Sequence, residues 1–358
     1  MPMRSLLQSR VFWKNTARPG RERCPLPMRI FLNPALRRIP GTACAALLLI
    51  ASGSMFAQAY PQRPVRMIVP YPAGAGTDIA TRMLAQRIGD SWGQPMVVEN
   101  RAGAGAIVGV DAVAKAAPDG YTLGIGDIGP LAINQALYSK LPYDSLRDLV
   151  PVIEVANLPF MLVVHPSLGV SSVAELIALA KRRPAQINSA SGGNGTASHL
   201  ATELFKKQAG IDLVHIPYKG QPPALNDLLA GTNQVMFLNL LTGLQHVKTA
   251  RLRALAVANA RRIPTLAEIP TIAESGVPGY EFLVWFGVIA PAGTPAPIVE
   301  RINAEFRRVL ALPEIRDRLE KDGGMQAAGG SAAQFAALIA SEQERWGKLV
   351  KETGARID

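Results

Sequence analysis

Groups that do covalent chemistry are scarce in this sequence. Of 358 residues only two are cysteines, Cys24 and Cys44, and four are histidines. Both cysteines precede residue 59, so the chain beyond that point has neither a disulfide nor a thiol to offer. No G-x-S-x-G elbow, no H-E-x-x-H pair and no Cys/His/Asp cluster at ligand spacing occurs, which argues against the common hydrolases and against a metal site. Long apolar runs are lacking as well: none approaches the roughly 20 residues of a membrane span. There is no internal repeat and no long polar linker.

Hydrophobic residues make up 48% of the chain, enough at this length to bury a core and to fill two ordinary domains. The formal charge of +11 suggests a nucleic-acid partner until its distribution is considered. Residues 1 to 59 hold nine Lys/Arg and one Glu, leaving 29 basic against 26 acidic residues for the rest. The basic excess is mostly N-terminal, and no nucleic acid is expected to bind.

That N-terminus reads as an export signal. Arg29, Arg37 and Arg38 precede the apolar stretch "ACAALLLIASGSMFA", and "AQA" at 57 to 59 presents small residues to a signal peptidase. Cleavage after Ala59 and a periplasmic mature chain are expected, with translation starting at Met28. Cys44 lies before "LLLI" rather than after the apolar region, so it is not a lipidation site.

From residue 63 short apolar runs alternate with helical periods. Strands are expected at 65–70, 95–99, 121–125, 160–165, 186–190, 212–217, 234–238, 252–258 and 283–290, and helices at 77–89, 107–117, 172–183, 197–208, 223–230, 295–311 and 332–351. Such alternation predicts a mainly parallel α/β architecture.

Two strand-to-helix joins carry the candidate chemistry. "PYPAGAGTD" (70 to 78) places Gly74 and Gly76 between a strand end and a helix start, with Thr77 or Asp78 as the expected N-cap. Free N–H groups and the positive end of the helix dipole suit such a turn to an anion, although glycine also serves any turn that needs φ > 0. Asp78 would repel an anion unless it turns back to brace the loop. "INSASGGNGTASHL" (187 to 200) packs Ser189, Ser191, Gly192, Gly193, Asn194, Gly195, Thr196 and Ser198 into a second join of the same kind, more glycine and hydroxyl than a turn requires. Facing across a cleft, the two could each offer amides to an anionic ligand.

Other features are weaker. "AGAGAIVG" (102 to 109) nearly matches a dinucleotide fingerprint, with Asp127 ending the next strand, but Val108 stands where the third glycine belongs. His165 and His215 lie in apolar strands and His246 in a mixed helix. His199 follows the second loop by one helical turn and either reaches a ligand or packs locally. "PYKGQPPAL" (217 to 225) ends another strand with Tyr218 and Lys219, and Pro222 and Pro223 suit the first turn of the next helix.

"PYPAGAGTDIATRMLAQ", "VVENRAGAGAIVG", "APDGYTL", "INSASGGNGTASHLATELFK", "VHIPYKGQPPALNDLLAG" and "WFGVIAPAGTPAPIV" together resemble the substrate-binding proteins of tripartite tricarboxylate transporters, also called the Bug family. The likeness runs in order from about residue 61 to the C-terminus. It implies a type II, Venus-flytrap periplasmic binding protein with two α/β domains, each a mainly parallel sheet flanked by helices. Domain one would hold 60–160 plus 284–358, and domain two 161–283. A monomer without cofactor, metal or catalytic residue would close over a small carboxylate and deliver it to a tripartite permease, or alternatively to a membrane sensor kinase.

The resemblance places the ligand between residues 72–78 and 189–199. The implied site comprises Tyr71, Ala73, Gly74, Ala75, Gly76, Thr77 and Asp78 on one side, and Ser189, Ser191, Gly192, Gly193, Asn194, Thr196, His199, Tyr218, Lys219 and Leu238 on the other. Ala75 stands where glycine is frequent. Members that bind an amino acid can carry an acidic residue at the position of Leu238, so an amino-acid ligand is disfavoured.

Overall fold

The computed structural model describes residues 60–322 and 324–353. The export segment, Met28 and both cysteines lie outside them. Among the described residues the strands are β1 (Val65–Val69), β2 (Met96–Asn100), β3 (Thr122–Asp127), β4 (Leu149–Leu158), β5 (Phe160–Val164), β6 (Asn188–Ser191), β7 (Val214–Pro217), β8 (Val235–Asn239), β9 (Arg253–Val257), β10 (Val284–Pro291) and β11 (Gln326–Ala327). They form two sheets, one ordered β11-β4-β10-β3-β1-β2 and the other β7-β6-β8-β5-β9.

Both sheets are mixed, which corrects the expectation of mainly parallel ones. In the first, β1 runs parallel to β2 and β3, while β10 is antiparallel to β3 and β4, and β11 to β4. In the second, β6 is parallel to β7 and β8, while β5 is antiparallel to β8 and β9. The parallel strands are those followed by crossover helices, as a parallel pair requires. The antiparallel ones arise where the chain changes sheets: Pro159 alone separates β4 from β5, and the chain returns through β10. A strand that leaves a sheet and the strand that re-enters it lie side by side in opposite directions.

At ten residues β4 is the longest strand, and its pattern gave no strand signal. Pro151, Glu154 and Asn157 interrupt its apolar run. Pro151 is accommodated because it pairs with Ile289 beside a register shift in β10, where the ladder is already irregular.

Strand alternation divides the second sheet's side chains. Phe160, Leu162 and Val164 of β5 with Val235 and Phe237 of β8 join the large core that also fills the first sheet. Met161, Val163, Met236 and Leu238 point to a smaller cluster with Ala224, Leu228 and Leu244. The C-terminal helix Ala332–Thr353 packs Trp346 edge-on against Phe282 at 5.5 Å. No described helix is long and apolar enough to cross a membrane.

Helices Gly76–Trp92, Ala197–Ala209, Gln221–Leu229 and Leu240–Lys248 follow β1, β6, β7 and β8. Their N-termini lie at the carboxyl ends of those strands, where open α/β sheets form ligand crevices.

Candidate functional site

The first join is braced from behind. Its helix starts at Gly76 with Ala75 at the N-cap, and no side chain caps it, so the expected Thr77 or Asp78 cap is not formed. Both residues are already inside the helix. Asp78 instead accepts the Gly74 N–H (2.9 Å), Asn100 Nδ2 (2.8 Å) and Arg82 Nε (3.0 Å). Asn100 Nδ2 also reaches the Tyr71 carbonyl at 2.9 Å, tying the loop to β2. Burial alone would raise the Asp78 carboxyl; the bonds from Arg82, Asn100 and Gly74 outweigh it and hold the group below its ordinary value. The carboxylate is occupied within the loop, and the first-turn N–H groups of Gly76 and Thr77 have no acceptor inside their own helix.

Neutral groups brace the second join. Ser191 Oγ accepts the Gly193 N–H (3.1 Å) and meets His215 Nε2 at 2.6 Å, while Ser198 Oγ accepts the Gly192 N–H at 3.0 Å. Thr196 Oγ1 donates to the Gly193 carbonyl at 2.7 Å, and His199 Nδ1 accepts the Gly195 N–H at 3.2 Å. The rings of His199 and His215 stack with centroids 4.1 Å apart. Burial pushes both imidazoles down to about 4, helped by Lys206 and, at His215, by His199. Thr196 is the N-cap of the helix that follows, again without a side-chain cap.

These joins meet at one cavity with about 420 Å³ of empty volume, part of it open to solvent. A third helix start joins them: Gly220 and Gln221 also line the space, and no side chain caps that helix, whose first turn holds Pro222 and Pro223. Among the described helices, Ser172 caps Val173–Arg182 by accepting the Glu175 N–H, and Asn239, itself in the cavity wall, caps Leu240–Lys248 by accepting the Thr242 N–H; Ile107–Ala114 and Ala296–Leu310, outside this lining, also lack a side-chain cap. Three uncapped N-termini therefore converge on a space whose lining contains no Lys, Arg or His among the described residues. Backbone amides and helix dipoles are its electropositive groups.

Segments from the two sheets approach closely through glycine. A Cβ on Gly76 would lie 2.7 Å from Asn239 Oδ1, and Cβ atoms on Gly105 and Gly220 would collide with the Asn194 carbonyl and the Pro72 ring. The "AGAGAIVG" stretch thus packs its Gly105 against the second join. It forms a short 3₁₀ turn, Ala104–Ala106, before the helix Ile107–Ala114.

Of the residues singled out from the sequence, Tyr71, Ala75, Gly76, Thr77, Gly192 and Thr196 line this cavity. Gly193, Asn194, Tyr218 and Lys219 line a second space of about 900 Å³ that shares Tyr71, Gly192, Thr196 and Gly220 with the first. Ala73 and Gly74 are exposed and Asp78 is spent on the brace. Ser189, Ser191 and His199 stand behind the second join and reach neither space: Ser189 Oγ lies 3.5 Å from Thr202 Oγ1 in the interior. Leu238 is fully buried in the smaller core cluster, a correction that follows from strand alternation. Its neighbour Asn239 faces the cavity instead and donates from Nδ2 to Gln221 Oε1.

The sequence reading missed Gln221, Asn239, Leu158, Phe160, Val284 and Asp127 as lining residues. In the sequence Asp127 stands out only at the ribose position of the incomplete dinucleotide fingerprint. It is 4% exposed, accepting Tyr71 OH at 2.6 Å and the Gly129 N–H at 3.0 Å. Burial outweighs those two bonds and pushes its carboxyl up to about 6, and the Tyr71 phenol is raised well above its usual value by burial beside Asp127.

A family profile described as "Tripartite tricarboxylate transporter family receptor" matches residues 80–355. The chain belongs to this family. It is 40% identical over 302 residues to protein BugT of Bordetella pertussis, covering 84% of this chain and 92% of BugT. Among solved structures it resembles Rpa4515 of R. palustris with adipate, at TM-score 0.80 and 38% identity over 82% of this chain and 98% of that one. It also resembles the periplasmic binding protein BugD, at TM-score 0.79 and 33% identity over 83% of this chain and 99% of that one. Family and fold are those of periplasmic solute-binding proteins, not of enzymes.

Proposed function

We propose that this chain binds a small carboxylate between its two sheets in the periplasm and hands it to a tripartite tricarboxylate permease. One observation carries this reading: three uncapped helix N-termini, from both sheets, meet in a cavity without a cationic side chain. Carboxylate oxygens would accept from the amides of Gly76 and Thr77 on one side and of Ala197 and Ser198 on the other. The adipate held by the R. palustris relative supports the same ligand class. Residues 60–160 with 284–358 and residues 161–283 would act as two domains that swing about β4 and β10, each closing half of the site. A ligand that touches both halves favours the closed form by its differential affinity. The close glycine approaches between the segments fit such closure. Export by residues 1–59, with cleavage after Ala59, would bring the chain to the compartment where this fold family works.

Thermal melting with a panel of di- and tricarboxylates, nicotinate and aromatic acids tests the reading. At least one should raise the melting temperature in a concentration-dependent way, as any ligand of the native state must. A panel that leaves melting unchanged contradicts it.

A further inference from the structure

One buried charge in the cavity has no place in a carboxylate cradle. Asp127 ends β3, is 4% exposed and forms part of the cavity wall with Gly76, Thr77, Thr196 and Ala197. A carboxylate offers about four acceptor sites, and the bonds from Tyr71 and Gly129 use two. No cation compensates it: Lys, Arg and His are absent from the described lining. The nearby Tyr143 phenol donates away from it, to the Pro130 carbonyl at 2.9 Å. An acceptor-only group beside an anion site opposes a second anion and rewards a donor.

We infer that the ligand is a small acid that also carries a hydrogen-bond donor, an ammonium or hydroxyl group, and that Asp127 is the residue selecting it. The inference rests on the carboxylate reading given above and specifies its substrate class. It also reverses one expectation drawn from the sequence. Position 238 lacks the acid that would pair with an ammonium group, but that position is core; the cavity takes its acid from β3 instead. Simple dicarboxylates then bind only by placing their second charge away from Asp127 or by bringing a proton with them.

Calorimetric titration with two matched sets tests this on the full mature chain: succinate, malate and aspartate, and adipate, 2-hydroxyadipate and 2-aminoadipate. Within the set that binds, a hydroxylated or aminated acid should bind at least about tenfold more tightly than the unsubstituted one, the scale of a charge-assisted hydrogen bond. Malate and aspartate, with their six-carbon counterparts, tell hydroxyl from ammonium. In Asp127→Asn, which keeps the volume and one acceptor, an ammonium preference should fall at least about tenfold. In Asp127→Leu, which keeps no acceptor, a hydroxyl preference should vanish. The wild-type ratios decide the matter even if a variant fails to fold. Equal or tighter binding of the unsubstituted acid by the wild type overturns the inference alone, as does a preference that survives both substitutions. Absence of binding by all six acids overturns this inference, and the carboxylate reading falls with it only if the wider melting panel is silent as well.

Discussion

At the first join the brace is ionic, with Asp78 held by Arg82, Asn100 and the Gly74 N–H. At the second it is neutral, with stacked His199 and His215 holding Gly195 and Ser191. Both leave an uncapped helix start facing the same cavity, so two unlike sets of side chains produce one backbone arrangement. The difference lies in what each tolerates. A carboxylate brace needs its charge, whereas His199 Nδ1 accepts the Gly195 N–H only while the ring is neutral.

The comparison breaks hardest at Gly76, where both sides of the cavity meet. Gly76→Asp drives a Cβ into Asn239 and sets a negative charge in the cradle, so carboxylate affinity measured by calorimetry should fall at least ~100-fold. Retained affinity would remove the first join from the site. Next comes the ionic brace itself. Asp78→Ala leaves the Gly74 N–H without its acceptor and removes one of two acceptors from Asn100 Nδ2 and the ion-pair partner of Arg82, which is about half exposed; urea denaturation should register a loss of about 2 kcal/mol.

Acid separates the two braces. The folded-state values of His199 and His215 lie near 4, below the ordinary 6.5, so the stability these rings contribute is present above pH 6.5 and is lost as pH falls towards 4. Asp78 is lowered from 3.8, so its contribution stays intact until pH falls below that value. Asp127 runs the other way: raised to about 6 from 3.8, it favours the folded chain most below 3.8, an advantage lost as pH rises through 6. At pH 5 the second join should loosen while the first holds. The double variant His199→Asn with His215→Gln keeps acceptors without titrating, so its melting temperature should drop by a few degrees less between pH 7 and pH 5 than that of the wild type. An identical drop in both proteins would assign the acid sensitivity elsewhere.

The smallest effect is expected at a helix that the cavity does not use. Ser172→Ala removes the cap on Glu175, costing about 1 kcal/mol, and should leave ligand affinity unchanged. Unchanged affinity there would set Ser172 apart from the starts at Gly76, Ala197 and Gln221, which are proposed to hold the ligand.

Much of this was legible in the sequence because it depends on local pattern. Strand-to-helix alternation located β1, β6 and β7 with their helices, and β8 without its helix, to within a few residues, and glycine density marked both joins. What escaped depends on long-range pairing. Pro151, Glu154 and Asn157 hid β4, whose regularity comes from β10 rather than from its own composition. The mixed sheets follow from the chain's two passages between them, which no local period records. Position 238 was misassigned because a one-residue phase error on a strand exchanges core for cavity. Asp127 looked like part of a failed fingerprint until the ends of β1, β3 and β6 were brought together. His199 and Ser191 were credited with ligand contact although their hydrogen bonds turn inward, and only the stacked His215 from the neighbouring strand reveals why.

In the proposed site, backbone amides at uncapped helix starts hold the carboxylate. Amide ¹H–¹⁵N spectra recorded while the tightest-binding acid is titrated in test it most directly. Gly76, Thr77, Ala197 and Ser198 are predicted to show the largest downfield proton shifts, saturating together with one affinity. Unmoved amides at these four positions, with the changes gathered instead around Tyr218 and Lys219 in the larger space, would contradict it.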